Sequence, residues 1–124
     1  MVVSGIPQKV DNPNERMVDM ALDMIRAFKL FSQNIPHPVG IRIGIHCGSA
    51  VAGVIGSSKF SYDIWGDTVN LASRMESHSE NGVIHVTEAI YLALKDRYLF
   101  EGRGLMTIKG KGEMMTYFLL GKYN

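Results

Sequence analysis

The sequence predicts an α+β domain, an α/β sandwich with helices covering a sheet, and three observations carry that prediction. Stretches with a two-residue apolar alternation are interleaved with stretches of helical spacing. The last third of the chain reads as strands separated by glycines. The whole is 124 residues with 46% hydrophobic side chains, enough for one domain with one modest core. Charged residues make up 20%, which fits a folded rather than a disordered chain.

Met1-Val-Val-Ser-Gly-Ile-Pro7 reads as a short strand ending at Gly5-Ile6-Pro7. Asn12-Pro13-Asn14-Glu15 then looks like a helix start, with Asn12 as cap and Pro13 at the first helical position. Val18, Ala21, Leu22, Ile25 and Phe28 recur at helical spacing, and prolines stop the helix near Asn34–Pro38. Glu15, Asp19 and Asp23 form a stripe on that helix, read as a solvated face rather than a metal site. Ile41–Cys47 alternates strictly, with Ile41, Ile43, Ile45 and Cys47 on one face and Arg42, Gly44 and His46 on the other. Ala50–Ile55 and Phe60–Trp65 are paired as a hairpin across Ser57-Ser58-Lys59.

Asp67 is expected to cap a helix carrying Asn70 and Arg74, which share a face because they are one turn apart. That helix fades over Ser77–Gly82. Val83–Val86 is a strand, and Thr87 caps a helix over Glu88–Arg97 with Ala89, Ile90, Ala93 and Leu94 inward. Three strands follow, Leu99–Arg103, Leu105–Lys109 and Met115–Leu120, with a basic turn at Lys109-Gly110-Lys111-Gly112. No repeat, low-complexity linker or internal domain boundary is evident.

Composition excludes several classes. A net charge of +1 leaves no electrostatic footprint for bulk nucleic acid or membrane binding. One cysteine, Cys47, excludes an internal disulfide and a multi-cysteine metal site, and suits a reducing compartment. No apolar run has transmembrane length, and the N-terminus lacks the pattern of a signal peptide. Gly48-Ser-Ala-Val-Ala-Gly53 follows a strand but lacks the lysine and hydroxyl of a phosphate-binding P-loop, so it reads as close backbone packing at a bend. His46 and Cys47 point to opposite faces and cannot form a nucleophile–base pair. His37, His78 and His85 have no metal-ligand spacing. Lys109 and Lys111 are either solvated turn lysines or a phosphate contact, and Asp63, Asn70 and Arg74 stand evenly between structural and chemical roles.

Phe60-Ser-Tyr-Asp-Ile-Trp-Gly-Asp-Thr-Val-Asn-Leu-Ala-Ser-Arg-Met-Glu76 resembles the most specific segment of the class III nucleotide cyclases, the adenylyl and guanylyl cyclase catalytic domains. Ile41-Arg-Ile-Gly-Ile-His-Cys-Gly48 and Ile108-Lys-Gly-Lys-Gly112 followed by Thr116-Tyr-Phe agree with the same family in order and spacing. The resemblance implies a ferredoxin-like fold and conversion of ATP to 3′,5′-cyclic AMP and pyrophosphate. Asp63 would bind the base; its acceptor-only carboxylate suits the amino group of adenine and repels the carbonyl oxygen of guanine. Guanylyl cyclases of the family typically carry cysteine there. Ile64 would add a backbone contact to the base. Asn70 would orient the ribose and Arg74 would stabilise charge on the α-phosphate. Arg42 and Lys109 would hold the β- and γ-phosphates. Two divalent cations, Mg²⁺ or Mn²⁺, would serve the reaction.

In the family the site lies between two catalytic domains. One supplies the metal aspartates and the counterpart of Arg42, and the other supplies the base acid, the Asn/Arg pair and the counterpart of Lys109. A second cyclase domain is therefore the implied partner, as a homodimer or an intact cyclase. The family's metal aspartates, and a lysine that shares adenine recognition, lie upstream of the position matching Met1. The resemblance thus covers the C-terminal portion of the domain, residues 1–124, and the 124 residues alone are expected to be inactive. Neither nucleic acid nor membrane insertion of this segment is implied; the domain would sit in the cytoplasm or on the cytosolic side of a membrane-bound parent. A non-catalytic dimerisation module, a guanylyl cyclase and an incomplete gene model are the alternatives.

Overall fold

The computed structural model describes residues 1–5, 9–36, 40–49, 51–55 and 61–123. In chain order the elements are α1 (Pro13–Ser32), β1 (Ile43–Ile45), β2 (Val51–Ile55), β3 (Ser61–Trp65), α2 (Asp67–Ser77), β4 (Ile84–Thr87), α3 (Glu88–Leu94), β5 (Tyr98–Ile108) and β6 (Gly112–Lys122). Four strands form one sheet in the order β1-β4-β6-β5, and β2 and β3 form a separate antiparallel hairpin. The strand β1 runs parallel to β4, with Ile43 opposite Ile84, while β6 is antiparallel to both β4 and β5. The arrangement is the expected α+β sandwich.

Strand alternation sorts the core. Ile45, Ile84, Val86 and Leu119 point to the side of the sheet where Val18 and Ala21 of α1 and Ile90 and Leu94 of α3 are buried with them. The other side belongs to α2, whose Leu71 and Met75 pack on Ile108 with Met106 and Met114 around them. Tyr98 closes the first layer: it is buried, and its hydroxyl donates to Asp19 Oδ1 of α1 at 2.6 Å. Glu15 pairs with Arg97, and Lys122 Nζ lies 3.8 Å from Asp19 Oδ2. The acidic stripe expected to face only water thus ties α1 to the start of β5 and the end of β6; Asp23 keeps to its own helix, 3.6 Å from Arg26.

Several expectations are corrected. Residues 1–5 form no strand, because a strand exists only in a ladder and these residues make none. Asn12 takes a left-handed backbone (φ 54°, ψ 54°), and its side chain makes no capping bond; its carbonyl accepts from Arg16 N–H at 3.0 Å. The cap of α2 is Gly66 rather than Asp67, since the turn out of β3 needs φ 124°, which glycine alone adopts readily. Thr87 stands at the N-cap of α3 without a side-chain cap bond, its hydroxyl being engaged by His46 Nδ1 at 2.7 Å. The helix α3 stops at Leu94, three residues early, because Tyr98 must already be in register opposite Lys122. The two strands expected at 99–103 and 105–109 are one strand, β5, carrying a register shift at Arg103. The turn at Ser57–Lys59 lies outside the described residues.

Candidate active site

The position of α2 is set by Gly44. A methyl group there would come within 2.0 Å of the backbone nitrogen of Glu76 and 2.4 Å of the carbonyl carbon of Met75. Only a residue without a side chain lets the helix lie this close to β1. From the neighbouring strand, where it is paired with Gly44, His85 Nδ1–H donates to the Met75 carbonyl at 2.9 Å. Held by both contacts, α2 presents different side chains to two clefts.

The first cleft, of about 500 Å³, lies between α2 and the turn joining β5 to β6. Asn70 and Arg74 line it from the helix, and Lys109 lines it from the turn. The helix face that carries Asn70 and Arg74 and the basic turn therefore converge on one cleft. The turn is built by Lys111 N–H donating to the Ile108 carbonyl at 2.9 Å, with Gly110 at φ 83° and Gly112 at φ 75°. Arg74 is half-buried and Lys109 exposed. Among the described residues no acidic side chain pairs with either, so two cationic groups face one cavity without a fixed counter-charge. Such a cavity accepts an anion with several oxygens. Lys111 differs from Lys109: its Nζ lies 2.5 Å from Asp67 Oδ2 at the cleft's edge.

Arg42 lies elsewhere. It lines a second, largely apolar cleft of about 450 Å³ between α1 and α2, beside the β1 edge, where Met20, Met24 and Ala72 are neighbours. Its guanidinium pairs with Glu76 Oε1 at 3.1 Å. The strand alternation correctly set Arg42 on the face opposite the isoleucines. The structure brings Asn70, Arg74 and Lys109 together and leaves Arg42 on the far side of α2. Asp63 and Ile64 sit in β3, opposite Gly53 and Ala52 of β2; their side chains lie outside what is described.

His78, which also lines the first cleft, was missed on metal-ligand spacing alone. The signal for it was the one-turn step from Arg74, the same step that linked Arg74 to Asn70. Its Nδ1–H donates to the Arg74 carbonyl at 2.9 Å, closing the end of α2. Neither His46 nor Cys47 has the chemistry of a nucleophilic site. Burial holds His46 below its ordinary pKa, with Asp67 opposing that shift and Lys111 adding to it. Burial pushes the Cys47 thiol up, away from the reactive thiolate.

Comparison with known proteins agrees with the geometry. Residues 1–121 match the family described as the adenylate and guanylate cyclase catalytic domain. An adenylate cyclase of Mycobacterium tuberculosis is 43% identical over 122 residues, spanning 98% of this chain and 28% of the relative. A soluble guanylate cyclase of Caenorhabditis elegans is 44% identical over 123 residues, spanning 96% of this chain and 18% of the relative. Among solved structures, the guanylate cyclase domain of RhGC from Catenaria anguillulae, in complex with GTP, superposes with a TM-score of 0.90 at 38% identity, covering 97% of this chain and 66% of that one. The chain belongs to the class III adenylate and guanylate cyclase catalytic-domain family, whose activity is that of a nucleotide-cyclising lyase. It spans under a third of the length of the curated relatives it matches, and relatives of both substrate types are among them.

Proposed function

We propose that this chain supplies the nucleotide-facing half of an adenylyl cyclase site, closing ATP to 3′,5′-cyclic AMP with release of pyrophosphate. The observation that carries this reading is the single cleft lined by Asn70, Arg74 and Lys109, with two cations and no acid paired to them among the described residues. Arg74 meets the charge that grows on the α-phosphate when the ribose 3′-hydroxyl attacks, a donor fixed before the reaction begins. Lys109 binds the β- and γ-phosphates and so the departing pyrophosphate. Asn70 orients the ribose. Asp63 and Ile64 read the base from β3, the carboxylate of Asp63 favouring adenine.

The family's two divalent cations would be held by carboxylates that we assign to another portion of the domain. Among the described residues no three His, Cys, Asp or Glu side chains converge as a metal site would require. Arg42, on the far side of α2, serves the triphosphate at a second site rather than at the cleft of its own chain. Two cyclase domains are thus needed, and a two-fold homodimer would hold two sites. No described helix is long and apolar enough to cross a membrane, and a cytosolic position for the catalytic portion accords with the ATP substrate.

The test is complementation. The chain is mixed with a cyclase domain that carries the metal aspartates but has its own Asn/Arg pair replaced, and product is measured from ATP and from GTP. Cyclic AMP from ATP, formed only on mixing, is the expected result. Preferential use of GTP would overturn the reading of Asp63, and product from the unmixed chain would overturn the assignment of the metal carboxylates to another portion. Failure with both nucleotides would overturn the catalytic role itself.

A further inference from the structure

Arg103 occupies an irregular place in a regular strand. Gly102 faces Tyr117 and Gly104 faces Thr116, although Tyr117 and Thr116 are adjacent, so Arg103 is an extra residue with no partner on β6. This is a β-bulge, and it is well supported. Gly104 sits at φ 112°, a value that side chains disfavour, and its carbonyl accepts from Thr116 Oγ1 at 3.3 Å. A bulge interrupts the ladder and re-aims the side chain it carries. Here that side chain is turned back under α2. The Arg103 guanidinium donates to the carbonyl of His78, the residue that caps α2. It lies 5.2 Å from the Phe118 ring centre, and its Nη1 is 3.5 Å from both ring nitrogens of His85. The His85 ring in turn holds the Met75 carbonyl, next to Arg74.

We propose that Arg103 is a positioning residue for phosphate binding. It fixes the last turn of α2, and so Arg74, relative to the β5–β6 hairpin that carries Lys109. The inference rests on the reading of the cleft as a triphosphate site. Two connections brace that cleft. Asp67 and Lys111 join the start of α2 to the turn, and Arg103 joins the end of α2 to the middle of β5. A full positive charge at the C-terminal end of a helix is also where the helix dipole favours one. If the bond to His78 is lost, the hairpin and the helix end can separate, and Arg74 and Lys109 no longer meet one triphosphate together. Arg103 does not line the cleft itself, so its effect reaches the nucleotide only through those two cations.

The experiment measures binding of ATP and of adenosine to the full chain mixed with the complementing cyclase domain, with Arg103→Ala and Arg103→Lys compared against the unsubstituted protein. Arg103→Ala should weaken ATP about tenfold, the lower end for loss of a supporting outer contact, and leave adenosine within about twofold. Arg103→Lys, which keeps a donor for the His78 carbonyl, should recover part of the ATP affinity. Arg74→Ala combined with Arg103→Ala should weaken ATP less than the product of the single effects. Equal ATP affinity with and without Arg103→Ala, in protein shown to be folded, overturns the inference alone. A parallel loss of ATP and adenosine also overturns it, since that marks general loosening. If the unsubstituted chain, mixed with the complementing cyclase domain, binds no ATP, the triphosphate reading falls and the inference falls with it. Should Arg103→Ala fail to fold, Arg103→Lys decides: affinity below the unsubstituted value for ATP alone supports the inference, and unchanged ATP affinity overturns it.

Discussion

Lys111 Nζ lies 2.5 Å from Asp67 Oδ2, joining the turn of one hairpin to the first residue of the helix across the cleft. The pair is part-exposed, so its contribution to stability is small, about 0.5 kcal/mol by comparison with other surface pairs. Its larger consequence is electrostatic, because it neutralises one of the two turn lysines, while Lys109 has no acidic partner among the described residues. Asp67→Asn should shift the urea midpoint little, and that shift should shrink further in high salt. If chemical denaturation instead showed a loss of several kcal/mol, the pair would have to be a core element, which its exposure contradicts.

Arg74→Ala and Asn70→Ala should both abolish most turnover in a reconstituted pair of domains. Loss of a donor aimed at developing charge costs about 10²–10³ in kcat, and Arg74 should sit in that range. On the proposed reading Lys109→Ala should act more on KM for ATP, since that lysine would hold phosphates in the ground state as well as in the reaction. Steady-state kinetics separates the two patterns. Equal losses in kcat at Arg74 and Lys109 with unchanged KM would argue against the division of labour.

Gly44→Ala should be among the most damaging single-methyl changes available. The added carbon meets backbone atoms of Met75 and Glu76, which cannot rotate aside. Overpacking of this kind costs about 3 kcal/mol, the upper part of the usual range. Thermal melts of Gly44→Ala beside Gly121→Ala, where nothing lies within 4 Å of the added carbon, should show a large loss for the first and little for the second.

Acid should weaken the fold through His85. The ring is buried between Phe118, Arg103 and the Met75 carbonyl. Burial holds its pKa below 6.5; the bond to Met75 opposes that shift, and the nearby charges of Arg103 and His78 reinforce it while Glu80 opposes it. The unfolded chain, with an ordinary histidine, therefore binds the proton more readily than the folded one. Stability is full above about pH 6.5 and is lost as pH falls from there through the folded pKa. His46 contributes in the same direction. Urea midpoints for the unsubstituted chain and for His85→Gln, followed from neutral to mildly acid pH, should show the shallower decline in the variant. An unchanged decline would remove His85 from the account.

Much of this was legible because local chemistry and tertiary placement agreed. The alternation at Ile41–Cys47 correctly separated Ile45, which enters the core, from Arg42 and His46, which face the other way. The one-turn spacing of Asn70 and Arg74 correctly set them on one wall of a cleft. What escaped the sequence was set by contacts distant along the chain. Thr87 looks like a helix cap until His46 takes its hydroxyl. Gly102 and Gly104 look like breaks between two strands, whereas they build a bulge inside one. Asp19 looks solvated until Tyr98, 79 positions later, supplies its hydroxyl. Arg42 stands in a different cleft from Asn70, Arg74 and Lys109, and the resemblance already assigns it to the opposite member of a domain pair.

The close seating of α2 on Gly44 also governs how the domain can move. With no side chain between strand and helix, the two cannot slide or tilt past each other without backbone collision. Arg42 just before β1 and Arg74 on α2 therefore travel as parts of one stiff lever. Met75 of the same helix also packs on Ile108 of β5, so the hairpin that carries Lys109 is seated against that lever as well.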